Sequence, residues 1–191
     1  MVKIGLVGED PNDTYSLKNL LLKKYKGEVQ FFPLVKGIKG YQLDNPKVKR
    51  ALPIEFSSKK CNFIIYIRDL DGFKTEKEKV GAKKKWFQEL DAMINGKGML
   101  LLNIWELEAL IFADISSFNK LYSISYSFKK DPVSLKEPKE ELKKITKHNN
   151  KKYKESHCPE IFNKLDFDVV EKNCSYFKEF ISELNIKLKA K

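Results

Sequence analysis

The chain has 191 residues, enough for one domain with a sizeable core, and 42% of them are hydrophobic, which excludes a disordered protein. Lys and Arg number 37 against 26 Asp and Glu, a net charge of +11 that points to a polyanionic partner, nucleic acid first and an acidic membrane surface second. The same Lys-rich excess also describes a plain solubilising surface. Cys61, Cys158 and Cys174 show no CxxC spacing and read as reduced thiols of a cytoplasmic protein. The apolar run in MVKIGLVGED is too short for a signal peptide, and no segment has the length of a transmembrane helix, so no membrane role is expected.

Residues 2–7 (VKIGLV) read as a buried strand, broken by Gly8 and the polar turn EDPND. Asn12 or Asp13 is placed to cap a helix over 14–26, where Leu17, Leu20, Leu21 and Lys24 recur at helical spacing. Residues 28–35 (EVQFFPLV) read as a second strand, with Pro33 marking its end or a sheet edge. Gly37 and Gly40 make a loop, and 45–58 read as a short helix interrupted near Pro53. A third strand is expected over 62–67. A charged helix follows over 75–94, with Val80, Trp86 or Phe87, Leu90 and Ile94 inward. Residues 98–104 (GMLLLNI) form a fourth strand and Trp105–Ala113 a helix directly after it.

Strands alternating with helices, in continuous apolar runs, predict an α/β fold: a mostly parallel four-stranded sheet covered by helices on both faces. After residue 124 the character changes. Residues 129–154 hold ten Lys against four acids and lead into a helical tail over 158–188. The expected division is therefore an α/β domain over 1–124 and a basic loop and helical extension, packed on it, over 125–191.

In an open α/β sheet, function collects at the carboxyl ends of the strands. Here those ends are acidic: Gly8-Glu9-Asp10 after the first strand, Asp69-Leu70-Asp71 after the third, and Asn103 followed by Glu106 and Glu108 after the fourth. In an extended segment residues i and i+2 point the same way. Two carboxylates so placed repel unless one is protonated or a cation sits between them. A hard ion such as Mg²⁺ or Mn²⁺, taking carboxylate oxygens and waters, suits that pattern. A turn or N-cap role explains a single Asp equally well, and a first-turn acid favoured by the helix dipole explains Glu106. Glu106 and Glu108 cannot both face the rim, and Glu108, if inward, needs a partner.

These motifs resemble a TOPRIM domain, whose pattern is a Glu after the first strand and a DxD after the third on a Rossmann-like sheet. Glu9 and Asp69/Asp71 match it. The segments VGEDPNDT, RDLDG, ELEALIFAD and YKESHCPEIFNKLDFDVVEKNCSYFKEF resemble, more closely, the small bacterial DUF4276 type. TOPRIM signatures usually read Glu-Gly, whereas this chain has Gly8-Glu9-Asp10, which leaves Glu9 and Asp10 both open as the first-strand acid. The resemblance implies Mg²⁺-dependent phosphodiester cleavage in a phage-defence or mobile-element setting, beside an ATPase partner.

On that expectation Asp69 and Asp71 hold one metal, Glu9 shares it or acts as general base, and Glu106 or Glu108 completes a second site. Arg68 contacts phosphate or neutralises the acids. Lys83, Lys84, Lys147, Lys151, Lys152 and Lys154 are the candidate backbone-binding lysines, with Tyr153 and His148 as stacking groups. Asp10, Asp13, Asp114 and His157 are auxiliary candidates, and Tyr153 and Lys154 reach the site if the tail folds over the rim. Rival classes are a haloacid-dehalogenase-like phosphatase using DxDG, a receiver-type signalling domain, and a non-catalytic module binding nucleic acid or protein, with the aromatic-rich segment 115–128 as an interface or simply core. A homo-oligomer is compatible with all of them.

Overall fold

The computed structural model describes residues 1–35, 43 and 45–190. The expected loop at Gly37 and Gly40 lies outside the described residues. The strands are β1 (Val2–Val7), β2 (Val29–Pro33), β3 (Phe63–Asp69) and β4 (Gly98–Asn103), in the order β2-β1-β3-β4 and all parallel. The α/β class and the parallel sheet are as the alternating pattern predicts. Pro33 is both a strand end and on an edge strand, where its missing N–H costs no ladder bond. β3 runs two residues further than expected, so Arg68 and Asp69 belong to the strand itself.

Helix α1 (Pro11–Tyr25) starts three residues earlier than the apolar spacing indicates. Its cap is Asp10, not Asn12 or Asp13. The Asp10 carboxylate accepts from the Asn12 N–H at 2.8 Å, and the Asp13 carboxylate accepts from the Asp10 N–H at 2.9 Å, a reciprocal capping box. Pro11 at the first helical position needs no N–H partner there. Helix α2 (Pro46–Ser58) runs through Pro53 without interruption and buries only Val48 and Leu52. Helix α3 (Lys77–Ala92) buries Trp86 and Leu90.

The sheet separates two cores. On one face Val7, Ile64 and Tyr66 meet Val48 and Leu52 of α2 and Trp86 and Leu90 of α3. On the other, Ile4, Leu6, Phe63, Ile65 and Ile67 meet Leu17, Leu20 and Leu21 of α1 and the C-terminal helices. Those helices are α4 (Ala109–Ala113), α5 (Ile115–Tyr122), α6 (Pro138–Ile145), α7 (Cys158–Phe162), α8 (Phe167–Asn173) and α9 (Ser175–Lys189). The helix expected directly after β4 begins four residues later, at Ala109. Segment 115–128 is core rather than interface: Ile115, Phe118 and Tyr122 are buried, and Tyr126 and Phe128 pack against the same cluster.

The C-terminal part is tied to α1 by polar contacts as well. Asn19 donates to the Pro159 carbonyl at 2.9 Å, and the Tyr25 hydroxyl donates to Asn185 Oδ1 at 2.8 Å. This packing places Cys158 beside Tyr153, whose hydroxyl reaches the Glu108 carboxylate. Among the described residues no helix is long and apolar enough to cross a membrane.

Candidate functional site: an acidic rim at the strand-order reversal

β1 sits between β2 and β3, so connections leave it in opposite directions and open a crevice at the carboxyl ends of β1 and β3. Glu9 follows β1, and Asp69 closes β3. The loops beyond β3 and β4 are locked together by backbone bonds. Leu70 N–H donates to Asn103 O at 2.9 Å, Asp71 N–H to Trp105 O at 3.0 Å, and Trp105 N–H to Gly72 O at 3.1 Å. Asp71 and Trp105 sit at φ 56° and 61°, in the left-handed region. The extended geometry assumed for Asp69-Leu70-Asp71 therefore fails at Asp71, and the two carboxylates have different surroundings. A Cβ at Gly72 would displace the Glu76 carboxylate, which accepts from the Phe73 N–H at 2.7 Å.

The outer acids are neutralised by protein cations. Glu9 pairs with Arg68 at 2.9 Å and stands 3.9 Å from Lys83, and Asp71 pairs with Lys83 at 3.2 Å. The Asp71 carbonyl accepts from Lys79 Nζ at 2.8 Å. The Arg68 guanidinium lies 4.3 Å from the Trp86 ring centre and is only 12% exposed, so it serves the acids and the core. Asp10 is exposed at the helix cap.

The inner acids come from three elements and differ in kind. Asp69, at the end of β3, accepts from Asn103 Nδ2 at 2.9 Å. Burial, then the charges of Asp13 and Glu108, pushes its pKa well above the ordinary carboxylate value, against the pull of the Asn103 bond. Asp13, in the first turn of α1, is pushed up to about 7 by burial and by Glu108, Asp10 and Glu9, against the Asp10 amide bond. Glu108, just before α4, is 5% exposed and is raised by burial, while Lys139 and Tyr153 hold it down. The Tyr153 hydroxyl donates to Glu108 Oε1 at 2.8 Å and lies 3.1 Å from Cys158 Sγ. Asn103 is fully buried, and its Oδ1 has no hydrogen-bond partner.

Lys139, in the first turn of α6, is the cation of this inner group. Its backbone N–H donates to Glu106 Oε2 at 2.9 Å, and its Nζ stands 3.6 Å from Glu106 Oε1 and 3.7 Å from Glu155. Burial opposes its charge, but Glu108, Glu106, Glu155 and Asp69 together raise its pKa above the ordinary lysine value. Glu106 thus faces Lys139 while Glu108 points inward, the division their spacing requires. Tyr153 reaches the site because Thr146 Oγ1 accepts its backbone N–H at 2.9 Å. It is buried, which corrects its reading as a stacking group.

The remaining candidates scatter. Asp114, 2% exposed, accepts from Ser116 Oγ at 2.7 Å and the Asp166 N–H at 2.8 Å, a joint between α5 and α8. His157 Nδ1 shares a 2.8 Å hydrogen bond with the Tyr122 hydroxyl, and burial and Lys151 lower its pKa. Lys83 turns toward the rim, whereas Lys84, Lys147, Lys152 and Lys154 are exposed and Lys151 pairs with Glu160 at 3.2 Å. Sequence reasoning missed Lys139 and Asn103. Asn103 carried a signal, an uncharged polar residue closing an apolar strand; Lys139, one of ten in its segment, carried none.

A parallel Rossmann-like sheet with carboxylates gathered at its strand-order reversal defines a class of α/β proteins with a rim site. Within it, the chain belongs to the family described as Domain of unknown function (DUF4276), whose profile matches residues 14–185. Asp69, Glu106, Glu108, Lys139 and Tyr153 lie inside the matched stretch; Glu9, Asp10 and Asp13 precede it. No curated protein matches the chain, and no solved structure matches it.

Proposed function

We propose that this protein is a divalent-cation-dependent phosphodiesterase acting on nucleic acid, with a TOPRIM-like disposition of acids. The observation that supports it best is the inner group: Asp13, Asp69 and Glu108, from three separate elements, are all raised by burial, and the charges of Asp13 and Glu108 raise Asp69 further, at the crevice where α/β proteins bind ligands. Gathered carboxylates of this kind favour a bound cation.

The donor set fits a hard ion. It is all oxygen, and the orphaned Asn103 Oδ1 adds a neutral acceptor beside Asp69. Among the described residues no three His, Cys, Asp or Glu side chains form a ready cage. Mg²⁺ does not need one, since it is commonly held by one or two carboxylates with waters and substrate phosphates completing the shell. Asp69 and Glu108 would hold the ion, with Asp13 at its side. The bound ion would supply Lewis-acid stabilisation of the developing phosphate charge.

The protein's own groups do the rest. Asn103 and Tyr153 orient Asp69 and Glu108 by hydrogen bonds. Asp13, poised near 7, can accept a proton from water at neutral pH. Lys139, held by Glu106, presents a cation to a phosphate oxygen. The exposed Lys147, Lys152 and Lys154 bind the backbone, each neutralised phosphate adding about 0.9 to the salt slope on duplex DNA.

The test is cleavage of plasmid, single-stranded DNA and RNA by the purified chain with Mg²⁺, Mn²⁺ or EDTA, beside Asp69→Ala. Metal-dependent cleavage lost in the variant supports the reading; cleavage that survives the substitution sinks it. Cleavage seen only with an ATPase partner present would keep the chemistry and make the chain an effector subunit. The Glu9–Arg68 and Asp71–Lys83 pairs favour a second reading, a non-catalytic module whose acids are neutralised internally. Nucleic-acid binding without cleavage would select it.

A further inference from the structure

A second cavity shares no lining residue with the acidic rim. It is a trough of about 830 Å³ along β4, the free edge of the sheet. Its floor is Met99–Leu102. One wall is α3, with Val80, Lys84 and Phe87; the other is α9, with Phe180, Glu183 and Ile186.

The floor has a backbone pattern. Lys97 O and Asn103 O bond toward β3, so by the alternation of a parallel strand Leu100 and Leu102 turn their N–H and C=O outward. Among the described residues no hydrogen bond engages those outward groups. Gly98, the other outward residue, is already occupied: its N–H donates to Asp91, and its carbonyl accepts from Lys187 Nζ at 2.7 Å. The open stretch is therefore short and bounded at one end.

We infer that this trough binds an extended peptide segment of a partner protein, added to the sheet as a strand beside β4. A strand rises about 3.3 Å per residue, so pairing with Leu100 and Leu102 engages roughly five residues. Its side chains would alternate between the two walls. Both walls are apolar at depth, so the segment is apolar on both faces, as in a strand buried on both sides. Lys84 and Glu183 stand on opposite walls, exposed and without an ion-pair partner among the described residues. They call for one acidic residue facing α3 and one basic residue facing α9, at odd spacing. A second copy of the chain fits less well, because its own α3 and α9 flank its β4 and meet these walls before the edges pair.

The probe is a displayed library of random heptapeptides selected on the full-length protein, followed by amide exchange with one enriched synthetic peptide. Enriched sequences are expected to carry a continuous apolar run with an acid and a base at odd spacing. The peptide is expected to slow exchange at Leu100 and Leu102 at least tenfold. N-methylating the peptide amides that face β4 should abolish binding. Ile186 is 70% exposed, so Ile186→Lys should abolish binding with the thermal midpoint unchanged. Enrichment of helical spacing, or of nothing, overturns the proposal. So does binding indifferent to N-methylation. A dimer by light scattering that Ile186→Lys dissolves would assign the trough to a second copy and overturn it equally.

Discussion

The two halves of the acidic rim are both built of Asp and Glu and have opposite electrostatics. The outer acids, Glu9 and Asp71, face Arg68 and Lys83 within ion-pair reach, and Asp71 is 66% exposed. The inner acids, Asp13, Asp69 and Glu108, have Lys139 as the nearby cation, and burial raises the pKa of all three. The outer half is a finished salt-bridge network. The inner half holds carboxylates whose charged form burial disfavours, and is where a cation gains most. Counting carboxylates near a strand end therefore says little; what matters is which of them the protein has already neutralised.

Substitution of the two aspartates of the DxD pair separates the halves most sharply. Asp69→Asn should cost cleavage on the order of 10²-fold or more while the thermal midpoint holds, because the amide oxygen still accepts from Asn103 and a neutral group suits the buried position. Asp71→Asn should cost little, since Asp71 is the exposed member of its pair and water can replace it beside Lys83. Equal losses in both, read from initial rates, would break the comparison and restore a symmetric DxD site.

Mg²⁺ itself provides the next test. Carboxylates with raised pKa values must shed protons to bind it, so affinity should climb from pH 6 to pH 8, passing through the Asp13 value of about 7. Calorimetry in buffers of different ionisation enthalpy should show proton release; a pH-independent affinity with no release would place the ion elsewhere.

Tyr153→Phe removes the donor that Glu108 uses. The cost should be about 1–3 kcal/mol of stability, read by chemical denaturation, with weaker Mg²⁺ binding alongside.

Without metal, the folded pKa of Asp13 lies above the unfolded value, so the folded state holds the proton longer and stability falls as pH rises from about 4 through about 7. Asp13→Asn keeps an oxygen for the Asp10 amide and should flatten that fall between pH 5 and 8. The smallest effect belongs to Lys83→Ala on the outer half, about 0–1 kcal/mol, as for exposed pairs.

Much of this fold was legible in the sequence because its signals are local. VKIGLV and FIIYI are continuous apolar runs, and a parallel sheet buried on both faces demands them. Boundaries failed where polar contacts set them. Asp10 begins α1 through a capping box with Asp13, earlier than the first buried leucine shows. The helix after β4 starts late because Trp105 takes a left-handed turn to meet Gly72.

The site was legible in part. The order of acids gave Asp69 and Glu108, and the two-residue spacing of Glu106 and Glu108 gave their opposite facings. Lys139 and Tyr153 arrive from more than thirty residues downstream. Their place in the site depends on long-range packing, of α6 against α4 and of α7 against α1. The left-handed Asp71 was hidden for a different reason: DxDG reads the same whether or not the strand continues.

Cys158 gives the buried site a chemical clock. Its thiol lies against Tyr153 and is 4% exposed, and burial together with the nearby Glu108 charge pushes its pKa up. Alkylation in the native state therefore has to wait for α7 to lift from α1. Cys61 sits in the core under α2, and Cys174 at the joint of α8 and α9, both buried and unbridged. Peptide-resolved labelling rates at the three thiols would time the opening of three different parts of one chain, and a ligand at the inner acids should slow the Cys158 clock most.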